Sequence, residues 1–526
     1  MSQMLKSSGA MGFATLISRL LGLVREQVYA AFMGTSAVAG AFHMAFTVPN
    51  LFRRLLGEGA LTAAFIPIFK AKEKSEGEVE MWRSANAVIS GLLVSAAVVV
   101  AVVLLGLSVV LAWATLPEST RLMLRLLRVM FPYMLLVCLA AAWMGMLNAR
   151  GFFFIPAFGA AMLNVVMIAT VLWLAPRFGD RLETQIFGLA LGVLAAGVAQ
   201  AGFQVPALWR QGYRYRWVSP WHDPTVREVV RKMLPASVGV AAFQINVLLT
   251  QILAFGVHAP IVATFNYAVR LMEFPQGLFG ISLATFLLPT LSGHAAEKDY
   301  DSFRRSLREG LSYLLFLNLL ASALLVALAE PIIRLLFEYG RFDRMSTFEV
   351  ARALACLAPG LVAFSAVNVV ARAFFALGDT ATPMRISVFS LVVNLLVAAL
   401  FLLALRLGAA GLGLANTLSA TINLALLLYA LRRKLARLDL GSLRASLLAS
   451  LAAALIAGVT AWATWRGWEL AWGHDTVLLR AGAVFVPMTL ATLSYAGVSH
   501  WAGVPAVREV WQTLSSLRGK RRGGND

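Results

Sequence analysis

Arginine recurs inside the first two apolar segments of the chain, where a bilayer-crossing helix ordinarily carries no charge. Residues 18–34 read SRLLGLVREQVYAAFMG and residues 41–59 read AFHMAFTVPNLFRRLLGEG, which sets Arg19, Arg25, Arg53 and Arg54 in or at the end of them. An arginine at membrane depth costs about 2.5–3.5 kcal/mol on insertion scales, so it faces a water-filled cavity or a partner. The nearest acids in sequence, Glu26 and Glu58, leave an excess of positive charge. Guanidinium groups are planar forks that match phosphate oxygens two bonds at a time. The pattern points to a cationic transport cavity, with a phosphate-bearing substrate as the best fit.

Helical geometry refines the set. Arg19 and Arg25 are six residues apart, about 240° of rotation, so both can line a wide cavity but not one stripe. Glu26 lies seven residues after Arg19, nearly eclipsed, and is the expected partner of Arg19. Arg53 and Arg54 differ by about 100°. Arg53 is set inward and Arg54 toward the cytoplasmic interface. Later in the chain, YAVRLMEFPQG adds Arg270, with Glu273 one turn away and able to pair with it. His43 and Asn50 add polar groups to the second segment; His43 is either a titratable group near neutral pH or a side chain lining water. Pro49, Pro132 and Pro275 can kink their helices, and Gly57 and Gly59 can loosen theirs.

These residues need helices that cross a bilayer. The chain has 526 residues, 60% hydrophobic and 13% charged, against about 25% charged in soluble domains. Mean hydropathy is +0.76. Charge-free runs long enough to span, roughly 20 residues, occur at 84–117, 129–149, 151–176, 184–209, 386–405, 407–431, 445–465 and 481–507. With the arginine-bearing segments, the stretch 232–270 broken at 256–260, and runs near 310–329 and 350–377, the expectation is fourteen transmembrane helices. The net charge of +19 gathers at the two ends and in alternate loops starting with 70–83. That distribution argues against nucleic acid and, by the positive-inside rule, puts both termini in the cytoplasm. The largest basic loop holds Asp223-Pro224, an N-cap and first-turn proline that predict a cytoplasmic surface helix. The tail at 518–522, RGKRR, can meet anionic membrane lipid.

A repeat organises the spans. Pro132, Gly151 and Pro156 recur at one offset as Pro359, Gly378 and Pro383; GLAL at 188–191 recurs as GLGL at 411–414. The expected architecture is all-α and polytopic. Two six-helix lobes, 1–215 and 216–440, would relate by a pseudo-two-fold along the membrane normal. Helices 13 and 14 follow at 441–510, then a basic cytoplasmic tail at 511–526. The repeat is chemically one-sided, since Arg19 and Arg25 have no basic counterpart in the seventh helix.

Several chemistries find no residues. All nine Asp lie outside the confident helix interiors, so no acid cluster is placed to hold Mg²⁺ beside a phosphate. There is no P-loop or other nucleotide motif, and neither cofactor nor metal is expected. Cys138 and Cys356 sit in apolar runs and read as small buried hydrophobes.

SRLLGLVRE, PNLFRRLLGEGALTAAFIPIF, FPYMLL with LNARGFFFIPAF, and RLMEFPQGLFGISLATFLLPTLS resemble the bacterial MviN/MurJ family of lipid II flippases. That family is part of the multidrug/oligosaccharidyl-lipid/polysaccharide exporter superfamily. The likeness covers nearly the whole chain and is weakest after about residue 432. It implies a transporter rather than an enzyme, in the bacterial inner membrane. It also implies a V-shaped cationic cavity and a groove involving helices 13 and 14 that takes the undecaprenyl tail. The implied activity is movement of lipid II from inner to outer leaflet for peptidoglycan synthesis. The family's essential arginines fall on Arg19, Arg25, Arg53 and Arg270, and Glu58 and Glu273 match its pattern. Two positions depart: Gly40 and Val269 stand where some relatives carry Asp, which puts carboxylate-based ion coupling in question. The other readings are a flippase for another polyprenyl-pyrophosphate-linked oligosaccharide, a drug exporter, and a membrane enzyme acting on polyprenyl phosphates.

Overall fold

In the computed structural model the described residues, 2–54, 61–435, 441–504 and 507, form helices and short connections, with no strand among them. Glu58, with Gly57 and Gly59, and the basic tail lie outside these residues. The chain divides into two compact units, residues 1–263 with 339–342, and residues 264–338 with 343–526.

The first unit holds α1 (Ser2–Met33), α2 (Ala37–Phe52), α3 (Leu61–Trp113), α4 (Glu118–Met130), α5 (Tyr133–Ala149), α6 (Phe154–Ala169), α7 (Leu182–Gly202), α8 (Val205–Arg210) and α9 (Pro224–Val257). The unit boundary falls inside α10 (Pro260–Pro275). The second unit continues with α11 (Ser282–Ala296), α12 (Tyr300–Ala327), α13 (Ala329–Phe337), α14 (Arg344–Leu357), α15 (Gly360–Ala376), α16 (Ala381–Ala399), α17 (Gly408–Lys434), α18 (Gly441–Trp472) and α19 (Val477–Trp501).

Packing and the repeat divide the chain differently over 216–263. Asp223 caps α9 as expected, accepting from the backbone N–H of Thr225 at 2.8 Å and of Val226 at 3.3 Å. The expected separate surface helix is instead the opening of α9, which runs unbroken to Val257. Its first turns pack on α3: Thr225 Oγ1 lies 3.3 Å from Ser84 Oγ. The preceding basic strap is fastened there too, by Asn86 Nδ2 donating to the Arg214 carbonyl at 3.0 Å. The strap's Tyr213 is buried against Trp82, and burial pushes its phenol up to about 12.

The stretch 70–83, read as a loop, is helical on both sides of Gly77. At φ 84° and ψ 178°, Gly77 occupies backbone space open essentially to glycine alone, so one residue reverses the chain between two helices. Arg150 closes that turn by pairing with Glu73 and Glu78 on either side of it.

Among the described residues nine helical runs are long and apolar enough to cross a membrane, and up to eleven if each of two bent pairs is one span. The protein is a multi-pass, all-helical membrane protein. The expected count of fourteen is not confirmed by length and apolarity among the described residues. The sixteen residues of α2, for example, rise about 24 Å, short of a hydrocarbon core of about 30 Å.

The repeat reappears in local geometry. The bent pairs are α4–α5 at 43° and α14–α15 at 44°, broken at Pro132 and Pro359. Gly151 and Gly378 end the second member of each pair at φ 86° and 74°. Helices α6 and α16 both run into a five-residue π-helical turn, Thr170–Leu174 and Leu400–Ala404. Asp379 beside the second of these glycines accepts from Thr382 N at 3.0 Å and lies 2.7 Å from Lys434 Nζ. The Lys434 ammonium, with the backbone N–H of Thr382, holds its carboxyl down at about 2. Asp223, Asp299 and Asp343 all cap helices, which accounts for acids that sit outside helix interiors.

The second unit also contains an ion cluster that composition did not signal. Arg334 on α13 is 3% exposed. It reaches Glu330 at 2.6 Å, Glu469 of α18 at 2.9 Å and Glu338 at 3.6 Å. Arg480 of α19 lies 3.6 Å from Glu338, and His474 sits against Glu469. These contacts fasten the α18–α19 hairpin to α13. Cys138 on α5 is fully enclosed, whereas Cys356 on α14 is half-buried and both thiols are free.

Candidate functional site

The arginines expected from sequence lie on α1, at the end of α2, and on α10. On α1, Arg25 keeps only 12% of its side chain exposed and Glu26 only 5%. The two pair directly through Arg25 Nη2 and Glu26 Oε1. Sequence reading set Glu26 under Arg19, one heptad away; in the structure its carboxylate meets the adjacent guanidinium. Arg25 also stands over the Tyr29 ring at 5.4 Å, which places a cation on a negative aromatic face. Tyr29 packs edge-on against Phe42 of α2 at 5.8 Å, and Phe42 stacks on Phe46 at 6.2 Å. Aromatic contact therefore joins the two arginine-bearing helices. Arg25 Nε has no hydrogen-bond partner among the described residues. Arg19, nearly two turns earlier, is exposed.

Helix α2 begins at Ser36, whose hydroxyl accepts from Ala39 N at 3.2 Å. His43 is half-buried, and its carbonyl takes the Thr47 hydroxyl at 2.9 Å. Thr47 also lies 2.7 Å from Gln251 Oε1 of α9, a link that sequence reading missed. Asn50 accepts at Oδ1 from Arg53 Nε at 2.8 Å. Arg53 and Arg54 are half-buried and begin a π-helical turn directly after α2. A π turn interrupts the regular ladder and is common where a helix carries function.

On α10, Arg270 pairs with Glu273 at 2.8 Å, as their one-turn spacing predicts. Both remain more than two-fifths exposed. The guanidinium therefore stays accessible to an anion, and an exposed pair of this kind binds weakly enough to exchange. Glu58 lies outside the described residues.

Asn164 is a second residue that sequence reading missed. It is 6% exposed on α6 and donates from Nδ2 to the Ser18 carbonyl of α1 at 3.1 Å. Gly22, one turn on, faces the same asparagine; a Cβ there would sit in ordinary contact 3.8 Å from Asn164 Nδ2. The bond fixes α1 at the residue directly before Arg19. The available signal was an asparagine inside a charge-free run.

Gly40 is explained by contact. A Cβ there would lie 2.0 Å from the Ala259 carbonyl oxygen. The neighbour is backbone, so α2 would have to move off that turn to admit a carboxylate. Gly40→Asp is expected to lower the melting temperature of purified protein in detergent, at or beyond the upper end of the about 1–3 kcal/mol typical of overpacking. Unchanged melting would show that α2 shifts without cost.

Residues 29–480 match the family model described as lipid II flippase MurJ. The chain belongs to the MurJ family of lipid II flippases. A probable lipid II flippase MurJ of Vibrio cholerae is 35% identical over 438 residues, covering 81% of this chain and 82% of the relative. One from Bdellovibrio bacteriovorus is 33% identical over 522 residues, covering 97% and 96%. A lipid II flippase MurJ of Burkholderia cenocepacia is 34% identical over 429 residues, covering 80% and 82%. Among solved structures, a lipid II flippase MurJ in an inward closed conformation aligns with a TM-score of 0.75 at 20% identity, over 93% of this chain and 97% of its own. An inward-facing multidrug resistance MATE family transporter of the MOP superfamily aligns at 0.65 and 16%, over 80% and 95%. At these identities the structural likenesses speak for the fold. The family is one of transporters rather than enzymes.

Proposed function

We propose that this protein carries lipid II from the inner to the outer leaflet of the bacterial cytoplasmic membrane by alternating access, with both termini cytoplasmic. Arg19, Arg25, Arg53 and Arg270 take the pyrophosphate; Glu26, Asn50, Arg54, Glu58, Glu273 and His43 support them. The observation that carries the reading is Arg25, a largely enclosed guanidinium with one carboxylate partner beside an exposed Arg19 in a MurJ-family chain. A pyrophosphate brings more negative charge than Glu26 supplies and accepts bidentate bonds from guanidinium forks. The α18–α19 pair is assigned the undecaprenyl tail. Leu455, Val459, Phe485 and Leu493 give it an exposed apolar face.

The test is translocation of labelled lipid II by purified protein in liposomes, with and without a membrane potential. Protein-dependent movement of lipid II is the expected result. No movement under either condition, with another polyprenyl-pyrophosphate oligosaccharide moved instead, would overturn the substrate assignment.

A further inference from the structure

Helices α2 and α10 are built alike. Each has sixteen residues and passes directly into a π-helical turn, which begins at Arg53 after α2 and at Gln276 after α10. Counting back from those turns, Thr47, Asn50 and Arg53 stand where Arg270, Glu273 and Gln276 stand. Each set steps by three residues and so keeps to an arc of about 120° on its helix. In both sets a charged member is tied to the middle residue. Arg53 bonds Asn50 at 2.8 Å, and Arg270 bonds Glu273 at 2.8 Å.

Gln276 is left over. Its side chain is half-buried between the buried Pro275 and Gly277, and its amide has no hydrogen-bond partner among the described residues. Neither amide atom is enclosed, so both are open to a ligand that can bond them. Arg270 and Glu273 already supply the charged chemistry of this row. A neutral amide brings N–H donors and a carbonyl acceptor together. That pairing suits hydroxyl and acetamido groups better than a pyrophosphate, which offers acceptors only.

We propose that Gln276 is a specificity residue that reads the amino-sugar part of the headgroup while Arg270, six residues earlier, holds the pyrophosphate. This rests on the lipid II reading given above. The test compares binding of lipid II and of undecaprenyl pyrophosphate, which lacks the sugars, to wild type, Gln276→Ala, Gln276→Met and Arg270→Ala, with melting temperatures for all four. Gln276→Met keeps the volume and removes the amide, so it serves if the alanine variant does not fold. Losing one such bond is expected to lower the preference for lipid II over undecaprenyl pyrophosphate roughly five- to tenfold in the Gln276 variants, whereas Arg270→Ala weakens both ligands. Equal weakening of both ligands by the Gln276 variants would overturn the sugar assignment. Wild-type preference in these variants, with Arg270→Ala still weakening both, would overturn the inference and leave the proposed function standing. Wild-type binding of both ligands by Arg270→Ala would overturn the phosphate role of Arg270 itself.

Discussion

Arg25→Ala is expected to abolish translocation of lipid II in liposomes and to destabilise the protein at the same time. The two losses have different origins. Transport fails because the most enclosed guanidinium of the proposed phosphate site is gone. Stability falls because Glu26, 5% exposed at its side chain, is a buried charge that loses the Arg25 guanidinium. Breaking a buried pair from one side costs about 3–5 kcal/mol. A second change separates these effects. Glu26→Gln added to Arg25→Ala removes the stranded charge, so melting should recover while translocation stays absent. Arg25→Lys keeps the charge but loses the planar fork and its fit over the Tyr29 ring. It should melt near wild type and transport poorly. Full transport by Arg25→Ala would end the role given to this residue.

Arg334→Met carries the second large effect, on stability alone. The guanidinium is 3% exposed and holds three carboxylates, Glu330 and Glu338 one turn to either side of it and Glu469 of α18. Methionine fills similar space but leaves those carboxylates facing one another, with Arg480 on Glu338. A loss of about 3–5 kcal/mol follows from removing one side of a buried cluster. It should appear as a lower melting temperature in detergent, with the α18–α19 hairpin the first part to exchange its amide hydrogens. Adding Glu469→Gln should return part of the loss, because one of the stranded charges is removed. If Arg334→Met melts as wild type, the cluster contributes nothing net to the fold.

Sequence made the arginine set visible because charge in an apolar segment is costly and stands out. The repeat was visible through Pro132, Gly151 and Pro156 because proline and positive-φ glycine leave marks that apolar packing does not. Glu26 was given the wrong neighbour. Helical rotation ranks eclipsed positions first, but long side chains such as Arg25 bend back to reach an adjacent residue. The Arg334 cluster was not legible because its members, spread from 330 to 480, look like ordinary polar residues near span ends until the chain folds. The turn at Gly77 was read as a loop because charge density there matches a loop. The charges in fact lie on helix ends and pair within each arm, with Arg150 bridging the two. Thr47 and Asn164 escaped notice because a hydroxyl or amide in an apolar helix is usually satisfied by its own backbone, and only coordinates show it reaching another helix.

The two sulfhydryls carry a practical consequence. A thiol reacts as thiolate and only where reagent can reach it. Cys138 is 0% exposed and will resist maleimide in the folded protein; only Cys356 has surface to offer. Cys356→Ala alone therefore gives a background nearly silent to labelling. A pair of fluorophores installed at chosen positions on that background can report distance changes through a turnover without disturbing any guanidinium named above.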